Sequence, residues 1–351
     1  MDRASLLPDL LAGRPAALAR AMSLVENTRA GYEDLLAAIH PRLGRAHRIG
    51  VTGPPGAGKS TLTTELIKAY RSRGERVGVV AVDPTSPFSG GALLGDRIRM
   101  EAVALDDGVF IRSMATRGSL GGLATSTREV CDVLDAAGFD RILIETVGVG
   151  QSELAVSGMA DTTVLVLVPE SGDGIQTLKS GVMEIADLYV VNKADRPGGE
   201  KLAREIEVML GIRQGNAFRG IRAHHGVDLA AARSRTAAKP ARDAGSEDGA
   251  WAHPVLLAVA VKGDGIERLV AELDRHRAWM DAHGELADRR RTRLAARTRE
   301  VVDRTMQRWI WNDTRAAAMV NERLDDVAAG RLSPYELAGE IVAGLKEGAR
   351  A

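Results

Sequence analysis

Apolar side chains recur at helical spacing over the first 46 residues, at Leu6, Leu7, Leu10, Leu11, Leu18, Met22 and Leu24. This stretch therefore reads as a helical lead-in that packs against the main domain. From Arg48 onward the pattern changes to short runs rich in β-branched residues: 49–51, 77–82, 109–111, 142–144, 164–168, 188–191 and 255–259. Amphipathic helix-length segments or glycine-rich loops separate most of these runs. That alternation predicts an α/β fold, a mainly parallel, doubly wound sheet wrapped by helices. Residues 232–250 carry Ser, Lys, Pro, Asp and Gly with almost no large apolar side chain, which predicts a flexible surface insertion. Helical periodicity returns after Gly265. Arg289, Arg290, Arg291 and Arg293 lead into a long helix whose apolar positions are Val301, Val302, Met306, Trp309 and Ile310. Ser333, Pro334 and Glu336 form a capping box that starts a last helix. The expected organisation is a helical segment over 1–46, one α/β domain over 47–280 and a C-terminal helical segment over 281–351.

Composition narrows the possibilities. A chain of 351 residues has ample length for a buried core, and 47 basic against 47 acidic side chains argue against nucleic acid as the main partner. Cys131 is the only cysteine, so neither a disulfide nor a thiolate metal cluster is expected. Charged residues interrupt the apolar positions of the first 30 residues, which fits neither a signal peptide nor a membrane span. A cytoplasmic location with no membrane association is the expectation.

The chemistry starts at Gly53-Pro54-Pro55-Gly56-Ala57-Gly58-Lys59-Ser60-Thr61, which follows an expected strand and precedes an expected helix. This is the phosphate-binding pattern G-x-x-x-x-G-K-[ST] in its required context. Glycines let several backbone N–H groups aim at one phosphate, and the helix N-terminus adds its positive dipole end. Lys59 is expected to reach the β- and γ-phosphates, and Ser60 to offer its hydroxyl to Mg²⁺.

A second motif, Asn192-Lys193-Ala194-Asp195, ends a later strand. Asp195 there can accept from the ring N–H and the exocyclic amine of guanine, a pair of donors that adenine lacks, so the motif selects GTP over ATP. Taken alone, the four residues also fit a strand end followed by a solvated turn. Between the two motifs lies a buried-looking strand ending in Glu145 and followed by Gly148. An acid at this point can hold the Mg²⁺ shell, and the Gly148 N–H can approach the γ-phosphate. An acidic residue facing water is the alternative. Val259, Ala260 and Val261, ahead of Lys262-Gly263-Asp264-Gly265, are candidates for backbone contacts to the base.

Longer stretches carry a resemblance. The run from Glu145 to Glu153 (ETVGVGQSE), with 82–87 (VDPTSP), 91–100 (GALLGDRIRM) and 112–118 (RSMATRG), is similar to the MeaB (ArgK-type) GTPases. These are G-protein chaperones of adenosylcobalamin-dependent acyl-CoA mutases, chiefly methylmalonyl-CoA mutase. The similarity spans nearly the whole chain. It implies that Asp83 and Asp96 lie in switch I and join Ser60 and Glu145 around Mg²⁺. It implies also that the segment through Gln151 and Glu153 is switch II. The loop 169–179 resembles an additional switch that faces the mutase and brings Lys179 towards the nucleotide, although a solvated lysine fits that position as well. The resemblance further implies a homodimer formed through the C-terminal helices, with the cobalamin itself held by the partner. The sequence departs from the family where Val259-Ala260 replaces Ser-Ala, so only backbone contacts to the base are inferred there.

The implied mechanism is charge neutralisation and positioning. Lys59 and Mg²⁺ take up charge developing on the β,γ-bridging oxygen while a water is aligned on the γ-phosphate. Gln151 is a candidate water-positioner by location, and a structural hydrogen-bonding role stands beside it. Slow intrinsic hydrolysis, quickened by a partner that orders the switches, is expected. Three other readings remain. A nickel-type or other metallochaperone GTPase needs a Cys/His set larger than Cys131 with His224 and His225. A P-loop kinase has no need of Asp195. A scaffold would hold nucleotide without turning it over.

Overall fold

The computed structural model describes residues 3–83, 100, 102–115, 120–146, 155–169, 182–213 and 249–348. The chain divides into two compact units, 1–287 and 288–351. The three lead-in helices belong to the first.

The first unit is organised on seven parallel strands: β1 (His47–Thr52), β2 (Val77–Asp83), β3 (Val109–Ala115), β4 (Arg141–Thr146), β5 (Thr162–Leu167), β6 (Leu188–Val191) and β7 (Val255–Leu257). Their order across the sheet is β3-β2-β4-β1-β5-β6-β7, and each neighbouring pair runs parallel. The chain leaves β1 towards one edge and returns to build the other half from β5 onward. The carboxyl end of β1 is therefore the topological switch point, where sheets of this kind open a crevice.

The strands are continuous apolar runs because helices cover both faces. Alternate residues divide between them. Ile49, Val51, Val79, Leu143, Val164, Val166 and Val190 face a core completed by Leu62, Leu66, Ile67 and Tyr70 of α4 (Lys59–Ser72) and Leu269, Val270 and Leu273 of a later helix, α8 (Ile266–Ala282). Val80, Met114, Ile142 and Ile144 face the opposite way. They meet the lead-in helices α1 (Arg3–Leu11), α2 (Pro15–Glu26) and α3 (Tyr32–Ile39), which contribute Leu10, Leu18, Met22, Val25, Leu35 and Ile39. Val130, Val133 and Leu134 of α5 (Leu120–Ala136) lie between the two sets. A third cluster joins Leu165, Leu167, Tyr189 and Val191 to Met183 of α6 (Val182–Ile185) and to Leu202, Ile206 and Leu210 of α7 (Gly199–Arg213).

A carboxylate pins the lead-in to the sheet. Asp135 accepts from the backbone N–H groups of Gly44 (2.9 Å), Arg45 (3.1 Å) and Ala46 (3.0 Å) and from Arg48 Nη2 (3.1 Å). These donors fix the path into β1 and leave the buried acid well solvated by protein.

The last strand is shorter than its apolar run. The sequence favours a strand over 255–259, but pairing stops at Leu257. The Val259 N–H turns to the Asp264 carbonyl (3.0 Å), and Ala260–Lys262 form a 3₁₀ turn closed by Gly263 and Gly265 at φ +76° and +82°. A side chain at Gly265 would put its Cβ 2.4 Å from the Leu257 carbonyl oxygen, so the reversal requires glycine.

Buried polar side chains link the strand ends away from the crevice. Arg141 Nη1 lies 3.0 Å from His47 Nδ1, and a guanidinium can only donate, so the proton of neutral His47 is on Nε2. Nε2 donates to Thr162 Oγ1 (2.8 Å), whose hydroxyl donates to His276 Nδ1 (2.8 Å). The remaining proton of His276, on Nε2, faces Asp187 Oδ1 at 3.5 Å. Burial above all, reinforced by the Arg141 and Arg277 guanidiniums and opposed by Asp161, holds the His47 pKa well below its ordinary value.

In the second unit, α9 (Glu285–Arg308), which starts in the first, continues into a π-helical turn Trp309–Asp313 and the helices α10 (Ala316–Ala328) and α11 (Pro334–Gly348). Ala316, Leu332, Leu337 and Ile341 form its core. The capping box is present. The Glu336 N–H donates to Ser333 Oγ (3.1 Å) and the Ser333 N–H to Glu336 Oε2 (2.8 Å). Val302, Met306, Trp309 and Trp311 are exposed within this chain.

Candidate nucleotide site

The loop between β1 and α4 occupies the switch point. Gly53 has φ +137°, and a Cβ there would lie 2.1 Å from the Val166 carbonyl oxygen. Gly58, the N-cap of α4 at φ +86°, would meet Asn192 Nδ2 at 2.4 Å. Both positions are closed to any side chain. Pro54, Pro55 and Gly56 turn outward, Ala57 is fully buried, and Lys59, Ser60 and Thr61 open α4. Lys59 is 7% exposed, and its ammonium donates to the carbonyls of Gly53 (2.8 Å) and Pro54 (3.0 Å). The cation is thus held inside the loop by two neutral acceptors.

The parallel register sets Val51 beside Glu145, which brings the end of β4 to the start of α4. Ser60 Oγ donates to Glu145 Oε1 at 2.5 Å, with both residues buried. Glu145 at 4% exposure does not face water, so the solvated-acid alternative does not hold. Thr146 Oγ1 donates to Thr52 Oγ1 (3.1 Å), tying the two strand ends together below the loop. This threonine pair has no motif signature, and only the register makes it visible.

The third element is the turn after β6. Asn192 is 2% exposed and bridges two loops: its Nδ2 donates to the Ala57 carbonyl (2.8 Å), and its Oδ1 accepts from the Ala260 N–H (3.1 Å). Lys193, a non-glycine residue at φ +55°, lays its ammonium on the Gly56 carbonyl (2.8 Å). The Ala194 N–H bonds the Ala258 carbonyl (3.0 Å). Asp195 stays half-exposed, 3.3 Å from Lys262 Nζ. Val259 and Ala260 are buried in the adjoining turn, while the Val261 side chain is exposed. Gly53 to Thr61, Glu145, Asn192, Lys193, Asp195 and 259–261 thus meet along one edge of the sheet. Lys262 also belongs there, and sequence reasoning singled out its loop without assigning it to the site. Asp83 ends β2, and nothing is described of its side chain. Asp96, Gly148, Gln151, Lys179, the pair His224-His225 and nearly all of the 232–250 insertion lie outside the described residues.

A parallel doubly wound sheet, a G-x-x-x-x-G-K-S loop at its switch point and an N-K-x-D turn beside that loop define a P-loop GTPase. A family model described as methylmalonyl Co-A mutase-associated GTPase MeaB matches residues 18–315, and the chain belongs to this family. A putative GTPase of Pyrococcus horikoshii is 43% identical over 297 residues, covering 85% of this chain and 84% of the relative. The mouse mitochondrial protein named methylmalonic aciduria type A homolog is 35% identical over 321 residues, covering 88% of this chain and 68% of the relative. Among solved structures, one described as a LAO/AO transport system kinase aligns over 99% of both chains with a TM-score of 0.64 and 25% identity. No helix among the described residues is long and apolar enough to cross a membrane.

Proposed function

We propose that this GTPase serves an adenosylcobalamin-dependent acyl-CoA mutase, methylmalonyl-CoA mutase above all, using its nucleotide state to gate cofactor loading or protection of that partner. Membership of a family described as mutase-associated carries this reading, and the name of the mouse relative supports it.

Within the site, we assign the triphosphate to the loop 53–61 and the guanine to Asp195 with the 259–261 backbone. Lys59 exchanges its two carbonyl acceptors for phosphate oxygens, a move over a short distance because the ammonium already lies inside the loop. The Ser60–Glu145 pair fits Mg²⁺: a hydroxyl oxygen and a carboxylate, buried together at the helix start, form the all-oxygen donor set this cation prefers. Ser60 would hold the ion directly and Glu145 directly or through water, with Asp83 and Asp96 as further candidates; when bound, Mg²⁺ neutralises charge on the β- and γ-phosphates. Gly148 is assigned an N–H contact to the γ-phosphate and Gln151 the orientation of water, and Lys179 is assigned to a partner-facing switch. The exposed Val302, Met306, Trp309 and Trp311 support a homodimer formed through the C-terminal helices. A cytoplasmic location is consistent with this role.

The test is phosphate release from GTP and from ATP by the purified protein, alone and with the mutase, beside Lys59→Ala. GTP-only turnover that rises with the mutase and vanishes in Lys59→Ala is the expected result. Turnover indifferent to the mutase overturns the partner assignment, and equal use of ATP overturns the assignment of Asp195.

A further inference from the structure

The Asp195 carboxylate is the group to which the guanine edge is assigned, and it already carries a cation. Lys262 Nζ lies 3.3 Å from Asp195 Oδ2, with the two side chains 59% and 42% exposed. The backbone under Lys262 is held on several sides. The Ala260 N–H is bound to Asn192 Oδ1 (3.1 Å), the Lys262 N–H to the Val259 carbonyl (2.9 Å), and the Val259 N–H to the Asp264 carbonyl (3.0 Å). On the other side, the Ala194 N–H is bound to the Ala258 carbonyl, so the turns that carry Asp195 and Lys262 form one hydrogen-bonded unit. The lysine stem therefore starts from a fixed point and reaches back over the acid.

A carboxylate has about four lone-pair positions across its two oxygens. Guanine, presenting N1–H and the exocyclic amine side by side, takes one from each oxygen and leaves the Oδ2 position that faces Lys262 occupied by the ammonium. We propose that Lys262 is a positioning residue of the base pocket: its ammonium holds the half-exposed Asp195 carboxylate in the orientation that guanine requires, and so contributes to both affinity and selectivity for guanine nucleotides. This rests on the assignment of guanine to Asp195. Lys193 cannot take over the task, because its own ammonium is engaged at the Gly56 carbonyl on the phosphate loop.

The experiment is a double-mutant cycle read as GDP, ADP and XDP affinity on the full chain. Lys262→Met should weaken GDP binding about two- to fivefold, the range set by an exposed ion pair, while ADP binding stays where it was. Lys262→Arg should restore most of the loss. Asp195→Asn presents one donor and one acceptor, which match the N1–H and C2 carbonyl of xanthine, so this variant should trade GDP for XDP. In that background no carboxylate remains to be held, and adding Lys262→Met should leave XDP affinity unchanged. Unchanged or tighter GDP binding by Lys262→Met overturns the proposal, as does an equal loss in the two backgrounds, which would mark a structural effect of the turn. Failure of Asp195→Asn to gain XDP overturns the base assignment itself and the role of Lys262 with it.

Discussion

Asn192 offers a sharp test of how the site is held together. Its amide is the only side chain among the described residues that bonds both the phosphate loop and the turn after β7, at Ala57 O and Ala260 N. Both backbone partners belong to buried residues, at 0% and 2% exposure. Asn192→Ala leaves a carbonyl and an N–H without their partner, at a cost of about 1–3 kcal/mol for each group. Water entering the vacated space returns part of this, which points to a net loss of about 2–3 kcal/mol. For a unit of this size that corresponds to roughly 3–5 °C in Tm. If the complex loses half as much again as the free protein, because the displaced loops also hold the nucleotide less well, GDP binding weakens by about tenfold. Asn192→Asp sharpens the test, because it preserves the shape and the acceptor towards Ala260 but sets a carboxylate oxygen against the Ala57 carbonyl. It should therefore be no more stable than the alanine variant. The assay is thermal unfolding without nucleotide, followed by GDP titration of each variant at a temperature where all are folded. A shift under about 1 °C for Asn192→Ala, well short of the size-scaled expectation, or near-native stability for Asn192→Asp, would refute the view that this amide clamps the two loops through buried hydrogen bonds.

Two further outcomes concern buried titratable groups. The native pKa of His47 lies well below the unfolded value of about 6.5, so below that pH the unfolded chain binds the additional proton and stability falls as pH drops towards the native pKa. This residue should contribute a slope of up to about 1.4 kcal/mol per pH unit as the pH falls below about 6.5, and His47→Gln should remove it; identical unfolding free energies versus pH in the two proteins would refute the assignment. Burial pushes the Cys131 thiol up to about 12, with Arg48 opposing the rise, so almost no thiolate exists at about pH 8. A thiol reagent at that pH should label this lone cysteine only as fast as the protein opens, and stoichiometric labelling within minutes of a protein with native circular dichroism would contradict that burial.

Much of this protein was legible in its sequence because its chemistry is local. The loop 53–61 needs its glycines and its lysine within nine consecutive residues, and the N-K-x-D turn 192–195 is complete within four, so each could be recognised without knowing what lay beside it. The seven apolar runs marked the strands because both faces of the sheet are covered, and the box at Ser333 and Glu336 marked the start of α11. Where local pattern and tertiary demand diverged, the pattern failed: 255–259 reads as one strand, yet two positive-φ glycines and the Val259–Asp264 pairing turn the chain out of the sheet after Leu257.

What only the tertiary structure decided are relations between residues far apart in the chain. The contact of Ser60 with Glu145, the span of Asn192 from Ala57 to Ala260, the Thr52–Thr146 tie and the placing of Lys262 over Asp195 all depend on strand order and register. A motif states which atoms are available for chemistry, because composition and spacing set that. Which of those atoms are buried, paired or left open depends on the packing of distant segments, and no short stretch of sequence contains that information.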